Sequence, residues 1–127
     1  MTEVVIDSSA VLADINDEPG ADAVRAVGAA GVISAVNFTE VITKLIEWGF
    51  EPDEARYAAQ GAKYECASVD QPRAAAAGML HARTRGTGVS LGDRYCLALA
   101  EELSLPVLTA DRRWKTLNLG IEITLIR

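Results

Sequence analysis

The sequence predicts an α/β fold, a single domain spanning 1–127 with a mainly parallel sheet of four to five strands and helices on both faces. Three observations predict it. Short apolar runs recur along the chain (EVVID, GVISA, ECASV, PVLTA and IEITLI), each too short for a helix. Segments with helical periodicity or helical propensity separate them. That alternation of short strands with helices is the signature of a mainly parallel sheet covered on both faces. The length of 127 residues suits one domain, and neither a repeat nor a linker interrupts it.

EVVID (3–7) opens as a buried strand and SSAVLADI (8–15) as a helix. GADAVRAVGAA (20–30) is a second helix, and GVISA (31–35) a strand opened by glycine. NFTEVITKLIEWG (37–49) places Phe38, Val41, Ile42 and Leu45 on one helical stripe, with Gly49 as the terminating glycine. Pro52 starts the next helix at a position where proline is tolerated. ECASV (65–69) is a short strand, and QPRAAAAGMLHARTR (71–85) is helical by propensity. GTGVSLG (86–92) follows a helix and does not fit the dinucleotide-binding glycine pattern, so it reads as a flexible connector. DRYCLALAEEL (93–103) is a helix, PVLTA (106–110) a strand, DRRWKTL (111–117) a helical turn or two, and IEITLI (121–126) the closing strand.

Composition excludes several classes. No apolar run is long enough to cross a membrane, and the N-terminus lacks a basic-then-apolar leader, which favours the cytoplasm. Two cysteines outside any CxxC pair and one histidine argue against a zinc site. Cys66 and Cys96 read as small buried apolar residues, His81 as a surface or packing residue, and Trp114 as core. The net charge of −6 opposes a broadly basic nucleic-acid binder.

The acids carry the functional signal. Asp7 and Asp111 end the first and fourth strands, so both reach one rim of the sheet if those strands are neighbours. Glu40 and Asp93 fall in the first turns of the helices after the second strand and after the glycine-rich loop. Each acid alone also reads as a helix cap: Asn37-Phe38-Thr39-Glu40 and Ser90-Leu91-Gly92-Asp93 resemble capping boxes, and Asp7 and Asp111 suit N-caps. Capping does not explain four acids converging on one rim, where they repel unless a cation sits among them. Oxygen-only clusters suit Mg²⁺ or Mn²⁺, which serve phosphodiester cleavage.

Together, VVIDSSAVLA, NFTEV, SLGDRYCLALA and PVLTADRRW resemble the PIN-domain ribonucleases of the VapC toxin type, over nearly the whole chain. The resemblance implies a Mg²⁺- or Mn²⁺-dependent endoribonuclease, the toxin of a type II toxin–antitoxin pair, with an RNA substrate, a cognate antitoxin over its active site, and a homodimeric state. It carries the catalytic and metal-binding roles to Asp7, Glu40, Asp93 and Asp111, and matches hydroxyls beside the site to Ser8 and Thr109. Arg112 and Arg113 fall near the same rim. Arg83, Arg85 and Arg94 lie around the glycine-rich loop, and all five are candidates for RNA phosphate. Setting the four acids aside leaves 14 acidic against 12 basic residues, a remainder of only −2. Competing readings are a non-catalytic PIN-like RNA- or protein-binding module and a phosphoacceptor receiver-like domain. The receiver would need Asp70 as acceptor and a second acid beside Asp7, where Ser8 and Ser9 stand. A haloacid-dehalogenase phosphatase would need an acid at Ser9.

Overall fold

A computed structural model describes residues 2–127. Five strands, β1 (Val4–Ile6), β2 (Gly31–Ser34), β3 (Glu65–Ala67), β4 (Val107–Thr109) and β5 (Ile123–Leu125), form one sheet in the order β3-β2-β1-β4-β5. Every pairing in it is parallel. The sheet lies at the upper end of the expected count and is wholly parallel.

Side chains alternate across the strands with the two-residue period of a pleated sheet. Val5, Val32 and Val107 face a core closed by α5 (Gln71–Met79), α7 (Leu91–Leu103) and Trp114. Ile6, Ile33 and Leu108 face a second core under α1 (Ser8–Ile15), α2 (Ala21–Val27), α3 (Ala35–Glu47) and α4 (Pro52–Gln60). The short α6 (His81–Thr84) continues α5. No helix among the described residues is long and apolar enough to cross a membrane.

Three local expectations are corrected. α3 begins at Ala35, because Ser34 accepts the Val36 N–H as its N-cap. Glu40 therefore sits in the second turn, not the first, and Asn37 is no cap. The connector after α6 is shorter than expected, since Leu91 and Gly92 already belong to α7. Cys66 is exposed: β3 is an edge strand, and its far side is uncovered. Cys96 is buried, Trp114 is 1 % exposed and His81 is exposed, as the sequence implied. Gly49, at φ 102°, holds the left-handed conformation that ends α3.

Candidate active site at the strand-order switch

The chain order reverses direction between β1 and β4, and in parallel sheets the crevice beyond the strand ends opens at that point. Asp7 follows β1 there, 3 % exposed. It stands at the N-cap position of α1, yet its side chain caps nothing. Instead Ser9 Oγ and Thr109 Oγ1 both donate to Asp7 Oδ2, at 2.5 and 2.8 Å. A hydroxyl has one proton. With both protons committed to Oδ2, the 3.2 Å approach of Ser9 Oγ to Thr109 Oγ1 is close packing. The two hydroxyls in turn accept the N–H groups of Ala110 and Asp111, both at 3.0 Å. One carboxylate oxygen is thus fixed by a cradle joining β1 to β4. The other, Oδ1, is buried without a partner.

Burial raises the Asp7 pKa from 3.8 to about 6. The Ser9 and Thr109 hydrogen bonds oppose the rise, and the charges of Asp93 and Glu40 add to it. The three acids are therefore electrostatic neighbours.

Glu40 reaches the same place from α3. Its Oε1 accepts from Asn37 Nδ2 at 2.7 Å and from Ser8 Oγ at 3.3 Å. Asn37 is fully buried, and its Nδ2 also donates to the Gly92 carbonyl at 2.9 Å, tying α3 to α7. Two acceptors around one nitrogen fix the amide's orientation, which leaves Asn37 Oδ1 as a second unpartnered buried oxygen. The Glu40 carboxylate fills the space where any side chain on residue 92 would stand. A Cβ on Gly92 would lie 2.1 Å from Glu40 Oε2.

Asp93 completes a true capping box: Ser90 Oγ accepts the Asp93 N–H, and Asp93 Oδ2 accepts the Ser90 N–H at 3.0 Å. The capping reading and the site reading hold together here, since the box places Asp93 in the first turn of α7 facing Asp7. Asp111 differs. It caps the 3₁₀ turn Arg112–Thr116 by accepting the Arg113 N–H at 3.0 Å. Its two oxygens also take the Arg113 guanidinium, at 3.1 and 2.8 Å. That ion pair lowers the Asp111 pKa.

Of the predicted hydroxyls, Thr109 lies directly on Asp7, whereas Ser8 serves Glu40. The hydroxyl paired with Thr109 is Ser9, which the sequence reading passed over. Besides Arg113, two of the five arginines are engaged by other groups of the chain. Arg83 pairs with Glu101 at 2.6 Å, and Arg94 donates to the Ala77 and Gly78 carbonyls. Arg85 and Arg112 are exposed, and Arg113 stands at the rim. Asp70, the acid a receiver would need, caps α5 by accepting from the Arg73 N–H.

Among the described residues, no three His, Cys, Asp or Glu side chains stand close enough to form a ready-made metal cage. The donor set nonetheless suits a hydrated cation. Mg²⁺ keeps several waters and takes only one or two carboxylates directly. Here an unpartnered buried Asp7 oxygen has two further acids as neighbours, and the buried Cys96 thiol near all three is pushed well up in pKa, chiefly by burial and further by their charges, so it offers no thiolate.

The solved structures that the chain resembles carry the same architecture. A DNA-bound VapBC complex from Salmonella typhimurium superposes with a TM-score of 0.78 at 20% identity, covering all of both chains. A toxin–antitoxin complex from Klebsiella pneumoniae gives 0.75 at 17% over 98% of each. A member of the VapBC toxin–antitoxin family from Mycobacterium tuberculosis gives 0.59 at 19%, over 100% of this chain and 99% of the other. No curated protein matches in sequence. The model of the PIN domain matches residues 4–118, from β1 through the 3₁₀ turn beyond β4, and the chain belongs to the PIN-domain family.

Proposed function

We propose that this chain is a metal-dependent endoribonuclease, the toxin of a type II toxin–antitoxin pair acting in the cytoplasm, and that residues 1–127 form its nuclease domain. The observation that carries the proposal is the Asp7 carboxylate: buried at the strand-order switch, pinned through one oxygen and unpartnered at the other, with Glu40 and Asp93 beside it. A desolvated ionisable group with specific charged neighbours at the mouth of a crevice has the physical signature of a functional position. Nuclease activity is the role of the PIN family, and several of the structures this chain resembles are complexes of a toxin with its antitoxin. Those complexes support an antitoxin partner, and the family resemblance adds the expectation of a homodimeric toxin.

Mg²⁺ or Mn²⁺ would be held by Asp7, Glu40 and Asp93. The chemistry the bound ion supplies is Lewis-acid stabilisation of charge on the cleaved phosphodiester and activation of water. The chain's own residues do the positioning. Ser9 and Thr109 keep Asp7 Oδ2 occupied, so that Oδ1 is the oxygen left open. Asn37 and Ser8 hold Glu40 against Gly92, and Ser90 holds Asp93 at the start of α7.

A non-catalytic binding module is the second reading, favoured by the absence of a preformed three-carboxylate cage among the described residues. One assay separates the two. Purified protein should cleave single-stranded RNA in Mg²⁺ or Mn²⁺, stop in EDTA, and lose at least a hundredfold in rate on Glu40→Gln, the scale of losing a major electrostatic contact in the transition state. Cleavage undiminished by chelator or by Glu40→Gln refutes the nuclease reading.

A further inference from the structure

We propose that Asp111 anchors an arginine clamp and that Arg113, so held, binds an RNA phosphate at the rim; the proposal rests on the nuclease reading and gives Asp111 a task other than metal binding. Both Asp111 oxygens are committed to Arg113. Oδ1 accepts from Nε at 3.1 Å and from the Arg113 backbone at 3.0 Å, and Oδ2 accepts from Nη2 at 2.8 Å. A guanidinium has five N–H groups. The fork spends two on Asp111 and leaves three directed away from it.

The anchor is rigid because it is tied to the core. The Asp111 N–H donates to Thr109 Oγ1 at 3.0 Å, and that hydroxyl donates to Asp7 Oδ2 at 2.8 Å. Three links therefore join the buried acid to the guanidinium. The glycine-rich loop supplies the other wall. Arg113 Nη1 lies 3.4 Å from where a Cβ on Gly88 would stand, and Gly88 holds φ +80°. Arg113 is within electrostatic reach of Asp93 as well as Asp111.

The pair is lopsided. The Asp111 side chain is 22 % exposed and the Arg113 side chain 68 %. An ion pair this open contributes little to stability. A planar fork fixed by a carboxylate along one edge is, however, preorganised for a phosphate along another, which a mobile lysine would not be. Arg83 and Arg94, nominated by the sequence for the same task, are spent on Glu101 and on carbonyls of the α5 end.

The test uses the full chain as wild type, Asp111→Asn, Arg113→Ala, Arg113→Lys and the double variant Asp111→Asn/Arg113→Ala. Mn²⁺ binding is measured by titration calorimetry without RNA. Cleavage of a short single-stranded RNA in Mn²⁺ at several salt concentrations gives KM and kcat. Asp111→Asn should bind Mn²⁺ within about threefold of wild type. Arg113→Ala should raise KM about tenfold, as loss of one charged contact does, with the larger part of its effect in KM. Its salt dependence should flatten by roughly 0.7 in log–log slope, the value for one phosphate on a single strand. Asp111→Asn should show the same KM defect in part, Arg113→Lys should recover less than half of it, and the double variant should be no worse than Arg113→Ala. Loss of Mn²⁺ binding in Asp111→Asn, or an unchanged KM and salt slope in Arg113→Ala, overturns the clamp while leaving the nuclease intact. A wild type that cleaves no RNA overturns the nuclease reading, and the clamp with it.

Discussion

Replacing Asp7 by asparagine should damage the enzyme and spare, or strengthen, the metal-free fold. In the folded chain the Asp7 pKa stands at about 6 against an ordinary 3.8, chiefly through burial. Between those two pH values the native state holds a proton that the unfolded state has released. The Asp7 contribution to stability is then most favourable below pH 3.8, falls as pH rises towards 6, and stays reduced above it. The full penalty at neutral pH is about 3 kcal/mol. Asparagine carries no charge and escapes it. Its carbonyl oxygen can take the place of Oδ2 and still accept from Ser9 and Thr109. Its amide then occupies the place of Oδ1, buried and without a protein acceptor, which costs about 1–3 kcal/mol.

The balance is a variant between equal in stability and about 2 kcal/mol more stable than wild type at pH 7 in EDTA. For a chain of this length that corresponds to a melting temperature between unchanged and roughly 8 °C higher. Thermal melts from pH 4 to 8 in EDTA test the sign. The gap between variant and wild type should open as pH rises through 4–6 and hold constant above. Mn²⁺ should then raise the wild-type melting temperature at pH 7, by mass action on the folded state, and leave the variant nearly unmoved. RNA cleavage should fall at least a hundredfold. A variant that melts several degrees lower in EDTA at pH 7 refutes the reasoning, since it would show Asp7 to be the stranded half of a stabilising contact. Equal responses of both proteins to Mn²⁺ would refute the metal role alone.

Gly92→Ala should fold, because the atoms its methyl meets are the tip of a flexible Glu40 side chain, yet cleavage should drop at least tenfold as Glu40 is pushed from its seat; a fully active variant would show that Glu40 need not lie there. Asn37→Ala leaves Glu40 without its shortest donor and α7 without a buried tie, and should cost about 1–3 kcal/mol in urea unfolding together with activity; loss of neither would remove Asn37 from the site. At subsaturating Mn²⁺ the cleavage rate should fall as pH drops through about 6, where Asp7 takes up a proton, and saturating Mn²⁺ should move that limb to lower pH; a limb indifferent to metal concentration would place the titrating group elsewhere. Co-expression with the product of an adjacent antitoxin reading frame should yield a stable complex without nuclease activity; a partner that neither co-purifies nor suppresses toxicity would count against the toxin assignment.

What the sequence made legible was whatever local spacing encodes. Asp7 at a strand end and Asp93 at the third position after a serine cap are both readable within a few residues, and both stand where that reading put them. Glu40 was legible as an acid, but its register was not. Asn37 imitates an N-cap three residues before Glu40, whereas the real cap is Ser34, and this three-residue error in the helix start hides the fact that Asn37 faces inward. The i, i+3 spacing of Asn37 and Glu40 was the available clue that both lie on one helical face.

Ser9 and Gly92 could not be found by such means. Ser9 acts on residues one hundred positions away, and Gly92 matters because a carboxylate from another helix occupies its missing side chain. The same holds for Asp111. Its place after β4 was correct, but nothing in ADRRW distinguishes an acid that awaits a cation from one already holding the arginine two residues on. Strand order decides the matter. With β1 beside β4, Thr109 spends its proton on Asp7 and accepts from Asp111, so the inner acid is left with an open oxygen and the outer one is turned outward to its arginine. Two aspartates that look equivalent as strand-end residues are thereby given opposite environments, one desolvated with its pKa raised and one ion-paired with its pKa lowered. The proposed division of labour, Asp7 towards metal and Asp111 through Arg113 towards substrate, rests on that contrast.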